Sequence, residues 1–300
     1  MIKKLIIPAA GYGTRFLPWT KSMPKEMLPI IDRPVIEYVI RDAVLSGIKQ
    51  IILITSSKKH SVEDYFDYNI ELERQLFDAG KKHQIKGIKE MADLAQFIII
   101  RQKQQLGNGH AVLQAKDIVG DEPFAVAWGD EFIDSEKPNL RQLFDVYNKY
   151  QATTIRVIKS KNKEDADRYA FIDAKEVEKD VFRVKKIIEK PGVGKTPSDL
   201  ASIGGYVFPA KIMKALAKQQ KGKNGEIWLV DAIEQMLEKG EPVYAKLVDG
   251  DYHDCGNKDD YLKAIVLSAL KRKDVSKEFA RFLKEKCDTI DKSSKLISQN

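Results

Sequence analysis

Cysteine is scarce in this chain: Cys255 and Cys287 are the only two among 300 residues. They build no disulfide framework and show no metal-type spacing, so the composition predicts a reducing, cytoplasmic setting. No run of about 18 apolar residues occurs, and no transmembrane helix or membrane partner is expected. The apolar start behind Lys3 and Lys4 is cut off by Pro8 and Gly11, too early for a secretory leader. Two familiar phosphate motifs are also missing. A G-x-G-x-x-G fingerprint fails at Phe16, which needs glycine or alanine. Gly192-Val193-Gly194-Lys195-Thr196 looks like the end of a Walker A loop, but Glu189 stands where its first glycine belongs and prolines flank it. The 51 Lys and Arg exceed the 44 Asp and Glu by a net charge of +7. They form no basic stripe interleaved with aromatics, which excludes nucleic acid as the expected partner and leaves solvated faces plus a site for anionic substrates.

What is present is an α/β chain without internal repeats or low-complexity segments. Hydrophobic residues make up 43% and charged residues 32%, enough for one large domain or two ordinary ones. Leu5–Ile7, Ile51–Thr55, Phe97–Ile100 and Phe124–Trp128 are short continuous apolar runs, which suit a parallel sheet covered on both faces. Helices are expected at Pro34–Leu45, with Asp32 as cap and Gly47 as stop, at Ala111–Ile118 and at Asn139–Tyr150. This alternation predicts a doubly wound, mostly parallel, Rossmann-like sheet with ligands at the carboxyl ends of its strands. Thr153–Ile158, Tyr169–Asp173, Val181–Glu189 and Ile203–Phe208 read as a β-rich extension. Residues 68–92 read as a charged helical insertion, 257–272 and 275–287 as basic helices, and the last ten residues as frayed.

The most informative stretch is Ala9-Ala10-Gly11-Tyr12-Gly13-Thr14-Arg15-Phe16-Leu17-Pro18, followed by Pro24-Lys25-Glu26-Met27-Leu28-Pro29. Gly11 and Gly13 admit backbone amides to a ligand without a Cβ in the way, and successive amides of such a turn cradle anions. Arg15 and Lys25 bring two cations to the same strand end. A bare Gly-x-Gly would be an ordinary turn; the full run suits a polyphosphate. It resembles the sugar-nucleotide pyrophosphorylases, the nucleotidyltransferase family, and Lys25–Pro29 resembles the bacterial branch that transfers uridylyl groups to glucose 1-phosphate.

Further signals follow in that family's order from residue 3 to about 270. Gln102-Lys103-Gln104-Gln105-Leu106-Gly107-Asn108-Gly109-His110 resembles its Gln…Gly-Leu-Gly-His segment, with Asn108 replacing leucine. A glutamine amide both donates and accepts, matching a pyrimidine imide edge. Gln104 is the candidate reader, with backbone near Gly107 and Gly109. His110 either contacts phosphate or sugar, or caps and packs the helix. Asp130, in Trp128-Gly129-Asp130-Glu131, stands at a strand end suited to Mg²⁺, which takes one or two carboxylates plus phosphate oxygens. The resemblance implies Asp130 and Asp254 as metal ligands, with Asp130 also near the sugar. Cys255 reads as a packing residue. In Glu189-Lys190-Pro191 the resemblance gives Glu189 the sugar hydroxyls and Lys190 the sugar phosphate. Gly204, in Ile203-Gly204-Gly205-Tyr206, would line the sugar pocket. Ala170 and Gly205 depart from a usual glycine and arginine. Glu226 and Asp231 either shape the sugar site or charge a helix start favourably.

The resemblance implies a nucleotidyltransferase fold of the glycosyltransferase-A-like kind over residues 1–270. Its nucleotide part spans about 1–150 and its sugar part about 151–256, with C-terminal helices at 257–300. It implies Ala10, Gly11, Gly13, Thr14, Glu26, Gln104 and Gly109 at the nucleotide, catalytic Arg15, Lys25 and Lys190, a Mg²⁺ cofactor, and a homo-oligomer, dimer or tetramer. The implied reaction is UTP plus glucose 1-phosphate giving UDP-glucose and pyrophosphate. The alternatives are thymidylyl transfer, another sugar 1-phosphate, or a non-catalytic sugar-nucleotide sensor.

Overall fold

The computed structural model describes residues 1–297 apart from 221, 223 and 224, with side chains described through residue 289; residues 298–300, within the stretch expected to fray, lie outside the described residues. Its strands are β1 (Lys4–Pro8), β2 (Pro29–Ile30), β3 (Arg33–Pro34), β4 (Gln50–Thr55), β5 (Gln96–Arg101), β6 (Phe124–Val126), β7 (Glu131–Asp134), β8 (Thr153–Lys159), β9 (Ala170–Glu178), β10 (Val181–Glu189), β11 (Leu200–Phe208), β12 (Val243–Leu247) and β13 (Asp251–Asp254).

Nine of them form one sheet in the order β5-β4-β1-β6-β11-β8-β12-β10-β9. The half from β5 to β6 is parallel, as the continuous apolar runs predict. Its residues alternate between two cores. Leu5 and Ile7 join one with Ile36, Ile40 and Leu143 from the helices Val35–Leu45 and Asn139–Tyr150. Ile6 joins the other with Val112, Leu216 and Ile233. Each such fully buried side chain contributes roughly 1.5–3 kcal/mol. Past β6 the sheet is mixed: only β8 and β12 pair in parallel, whereas β9–β10 is a hairpin and β11 runs against both β6 and β8. β9 and β10 follow each other through a tight turn and so pair antiparallel, and with β11 and β10 also running against their other neighbours the β-rich middle extends the parallel half as a mixed sheet.

Three helical expectations change in detail. The helix at Val35 starts behind an extended Pro34 with no side-chain cap. Asp32 is not its cap, because the β2–β3 ribbon sets the chain's entry and Asp32 pairs with Arg272 instead. The helix expected at Ala111–Ile118 is two short ones, Asn108–Leu113 and Lys116–Val119. The last helix, Ser276–Ile297, runs through most of the stretch expected to fray. The insertion is a pair of helices, Ile70–Asp78 and Lys82–Ala92. No described helix is long and apolar enough to cross a membrane.

One strand forks the sheet. β8 lies along one edge of β11. On the other edge Tyr206–Phe208 pair with β6, while Ala201 and Ser202 pair with β9. The changeover falls at Ile203-Gly204-Gly205, where the register also shifts. A Cβ on Gly204 would stand 2.0 Å from Trp128 Cδ1, and Gly205 has φ 145° with Arg156 Nε 2.5 Å from where its Cβ would be. The fork is therefore filled by neighbouring side chains and tolerates only glycine. We expect Gly204→Ala to cost about 1–3 kcal/mol through overpacking, visible as a lowered thermal midpoint. Gly11→Ala, with nothing within 4 Å of its Cβ position, leaves the midpoint unmoved. Equal melting curves for both would contradict the packed fork.

Candidate active site

A cleft of about 510 Å³ opens in this fork. Its walls are the loop after β1, the ends of β5 and β6, the β9–β10 hairpin and the segment before the helix Leu229–Glu238. Of the residues singled out in the sequence, Ala10, Gly11, Gly13, Thr14, Arg15, Lys25, Glu26, Asp130, Glu189, Lys190, Gly204 and Asp254 all line it. Gln104 and Gly109 do not. The Walker-like loop at Gly192–Thr196 is also outside.

Two carboxylates meet on the cleft floor. β7 and β13 form an antiparallel ribbon in which Asp254 faces Glu131, and this register carries Asp254 beside Asp130. A Cβ built on Gly256 would lie 2.6 Å from Asp130 Oδ2 and 3.0 Å from Asp254 Oδ1, so the glycine leaves a small cradle rimmed by acidic oxygens. Lys25 Nζ donates to Asp130 Oδ2 at 2.6 Å. Burial opposes the Lys25 charge, but Asp130 and then Glu26 outweigh it and hold its pKa above the usual lysine value. Arg15 reaches the same floor, its Nη1 3.5 Å from Gly256 O. Glu26 is fully buried, and Lys59 Nζ donates to its Oε2 at 2.7 Å. Burial pushes the Glu26 carboxyl up and the Lys59 ammonium down. Among the described residues no group of three or more His, Cys, Asp or Glu side chains is placed to hold a metal by itself. Two carboxylates open to a cleft fit a Mg²⁺ that takes its remaining ligands from phosphate oxygens and water. Cys255, fully buried, is kept protonated by burial and the carboxylates around it, consistent with packing.

Beyond β5 the chain turns after Arg101 so that Gln102 and Gln105 face the cleft while Gln104 is exposed. Gln102 Nε2 donates to Gly107 O at 3.3 Å and lies 2.9 Å from His110 Nδ1, and Gln105 Nε2 donates to Ala10 O at 3.2 Å. His110 also contacts Gln114 and does not line the cleft, so it packs rather than meeting a ligand. Gly109 points inward: its N–H donates to Ile227 O at 2.9 Å, and a Cβ there would press on that carbonyl. Asn108, the residue in place of leucine, accepts the Leu229 N–H at 2.9 Å and so docks the start of the helix Leu229–Glu238 against the helix Asn108–Leu113. Glu226 lines the cleft, whereas Asp231 sits in that helix's first turn, accepting from Gln219.

At the opposite end Glu189 and Lys190 close β10. The Lys190 Nζ lies 3.6 Å from Glu189 Oε1 and 4.7 Å from the centre of the Trp228 ring. Lys190 has φ 45°, unusual for a side-chain-bearing residue, and its N–H donates to Tyr169 O. Burial pushes the Glu189 carboxyl up, with Lys190 pulling it back.

A family model for nucleotidyl transferases matches residues 4–269. This chain belongs to the nucleotidyltransferase family. It is 44% identical to UTP–glucose-1-phosphate uridylyltransferase of Bacillus subtilis, over 94% of this chain and 96% of that protein. It is 42% identical to UTP–glucose-1-phosphate uridylyltransferase 1 of Staphylococcus saprophyticus, over 94% and 98%. A UTP-bound UDP-glucose pyrophosphorylase of Acinetobacter baumannii superposes with a TM-score of 0.86 at 42% identity, over 95% of this chain and 99% of that one. A UDP-glucose pyrophosphorylase complexed with UDP-glucose gives 0.82 at 36% identity, over 91% and 100%.

Within this nucleotidyltransferase the sequence motifs missed a buried ion pair under the fork at Gly204 and Gly205. Arg156 and Glu131 are 3% and 6% exposed and joined at 2.8 Å. Arg156 also donates to Asn139 Oδ1 at 2.5 Å, and Tyr252 OH donates to Glu131 Oε2 at 2.7 Å. Burial pushes the Glu131 carboxyl up, against the pull of Arg156. Arg156 fills the space where a side chain on Gly205 would go, which accounts for glycine at that position. Removing one partner strands a buried charge, so Arg156→Met should cost about 3–5 kcal/mol in urea unfolding. The Arg156→Met/Glu131→Gln double variant should be less destabilised than Arg156→Met alone; a double variant that is the worse of the two refutes the pairing.

Proposed function

We propose that this protein joins UTP and glucose 1-phosphate into UDP-glucose with release of pyrophosphate. The observation that carries the reading is the acidic cradle at Gly256, rimmed by Asp130 and Asp254, in a cleft that also holds Arg15, Lys25 and Lys190. Relatives at 42–44% identity over nearly the whole chain carry the name of this activity. A thymidylyltransferase structure shares the fold at only 20% identity.

In this reading an oxygen of the sugar phosphate attacks the α-phosphorus of UTP. The new P–O bond forms as the bond to the bridging oxygen breaks in line, and that electron pair leaves with pyrophosphate. No covalent intermediate on the protein is needed, and catalysis rests on positioning and charge. Asp130 and Asp254 would hold a Mg²⁺, which would supply positive charge to the phosphates. The open backbone at Gly11 admits the nucleotide. Arg15 and Lys25 face the triphosphate from the floor, Lys190 holds the sugar phosphate, and Glu189 accepts from sugar hydroxyls. Gln102, buried and facing the cleft, replaces Gln104 as the reader of the uracil edge.

Asp130→Asn and Asp254→Asn keep shape but remove charge. Each should lower turnover by more than the roughly 10–100-fold typical of a change behind the ligands, and a chelator should abolish pyrophosphate release. A folded variant with near-normal turnover, or activity that survives chelation, defeats the assignment. For base choice, Gln102→Ala should flatten the preference for UTP over CTP, since unpaired polar groups are what reject a mismatched edge. Gln104→Ala should leave that preference intact. Competition kinetics with the two triphosphates decides it, and the opposite pattern returns the role to Gln104.

A further inference from the structure

One carboxylate of the cradle is held from behind. Asp254 Oδ1 accepts the Gly256 N–H at 2.9 Å and is the oxygen that faces Asp130. Its other oxygen, Oδ2, accepts from Arg168 Nη2 and from Tyr169 OH at 2.8 Å. Arg168 is fixed in turn: Nη2 also donates to Asp260 Oδ2 at 3.0 Å, Nη1 lies 3.6 Å from Asp165, and the guanidinium carbon sits 5.0 Å from the centre of the Tyr169 ring. Asp260 belongs to the first turn of the helix Lys258–Lys271, where Asn257 caps its N–H. A chain of contacts thus runs from that helix through Arg168 to the back of Asp254. It leaves the front oxygen pointing at the cradle.

The two rim carboxylates are treated differently. Lys25 sits on Asp130 Oδ2, the oxygen at the cradle. Arg168 sits on the Asp254 oxygen turned away from it. A cation entering the cradle competes with Lys25 and leaves the clamp on Asp254 undisturbed.

We propose that Arg168, assisted by Tyr169, is a positioning residue that orients Asp254 for a divalent cation and keeps Lys25 as the only charge the cation must displace. This rests on the reading that Asp130 and Asp254 are the cation's ligands. Partners behind metal-binding groups orient them, and their loss typically weakens metal affinity about 10–100-fold. An arginine suits the task because its Nη2 donates to Asp254 and Asp260 together while the planar guanidinium rests against the Tyr169 ring.

The test is Mn²⁺ binding followed by electron paramagnetic resonance in the full chain with UTP present, beside steady-state kinetics. Arg168→Met should raise the Mn²⁺ dissociation constant about 10-fold or more, with the same shift in the Mg²⁺ concentration for half-maximal turnover. The KM for glucose 1-phosphate should stay near the parent value. Arg168→Lys should recover part of the affinity, and Tyr169→Phe should show a smaller loss. Unchanged Mn²⁺ affinity in folded Arg168→Met overturns the proposal, as does a rise confined to the KM for glucose 1-phosphate. If Arg168→Met fails to fold, unchanged affinity in both Arg168→Lys and Tyr169→Phe overturns it equally. Asp254→Asn serves as the control. Loss of Mn²⁺ binding there with none in the Arg168 variants sinks the clamp alone, whereas unaltered binding in Asp254→Asn sinks the two-carboxylate reading and the clamp with it.

Discussion

Two like charges are held where they repel. Asp130 and Asp254 bring oxygens to the same small space over Gly256, and the repulsion between two carboxylates so placed is offset by cations beside them. Lys25 supplies one and Arg168 the other. Neither aspartate is placed by its own strand alone. The β7–β13 ribbon sets their spacing, and the loop after β1 brings Lys25 over the floor. The helix from Lys258 anchors Arg168 through Asp260. The cleft is thus a meeting of segments from both ends of the chain around one electrostatic problem.

The forked strand solves the matching geometric problem. A continuous sheet offers a ligand only its end or its face. By exchanging β6 for β9 along one edge of β11, the sheet parts and leaves room between the strand ends that carry Asp130 and Glu189. The glycines at the fork keep the partition thin. Trp128 and Arg156 fill the volume that side chains there would take, so the gap does not collapse.

Much of this was legible in the sequence. The parallel strands were readable because strands covered on both faces are continuous apolar runs, and the opening loop because its glycines and cations stand close together along the chain. What escaped was mostly decided at long range. Arg156 lies in a strand of Thr, Ile and Val, and no local pattern reveals that Glu131, 25 residues earlier, neutralises it. Lys59 and Glu26 are likewise 33 residues apart, and Arg168 and Asp254 are 86 apart. Gln104 and Gln102 share chemistry and differ only in orientation, which the turn after β5 determines. Gly109 reads as a ligand glycine until the helix it packs against is known. Asp32 reads as a cap until Arg272, from the other end of the chain, is beside it.

The distribution of indoles gives the cleft a built-in optical property. Of three tryptophans, Trp128 lies at the fork and Trp228 beside Lys190, both on the cleft wall, while Trp19 stands outside it. The Lys190 ammonium rests over the Trp228 ring, and a cation so close perturbs an indole's excited state. A shift of that ammonium is thereby written into the intrinsic fluorescence of the unlabelled chain.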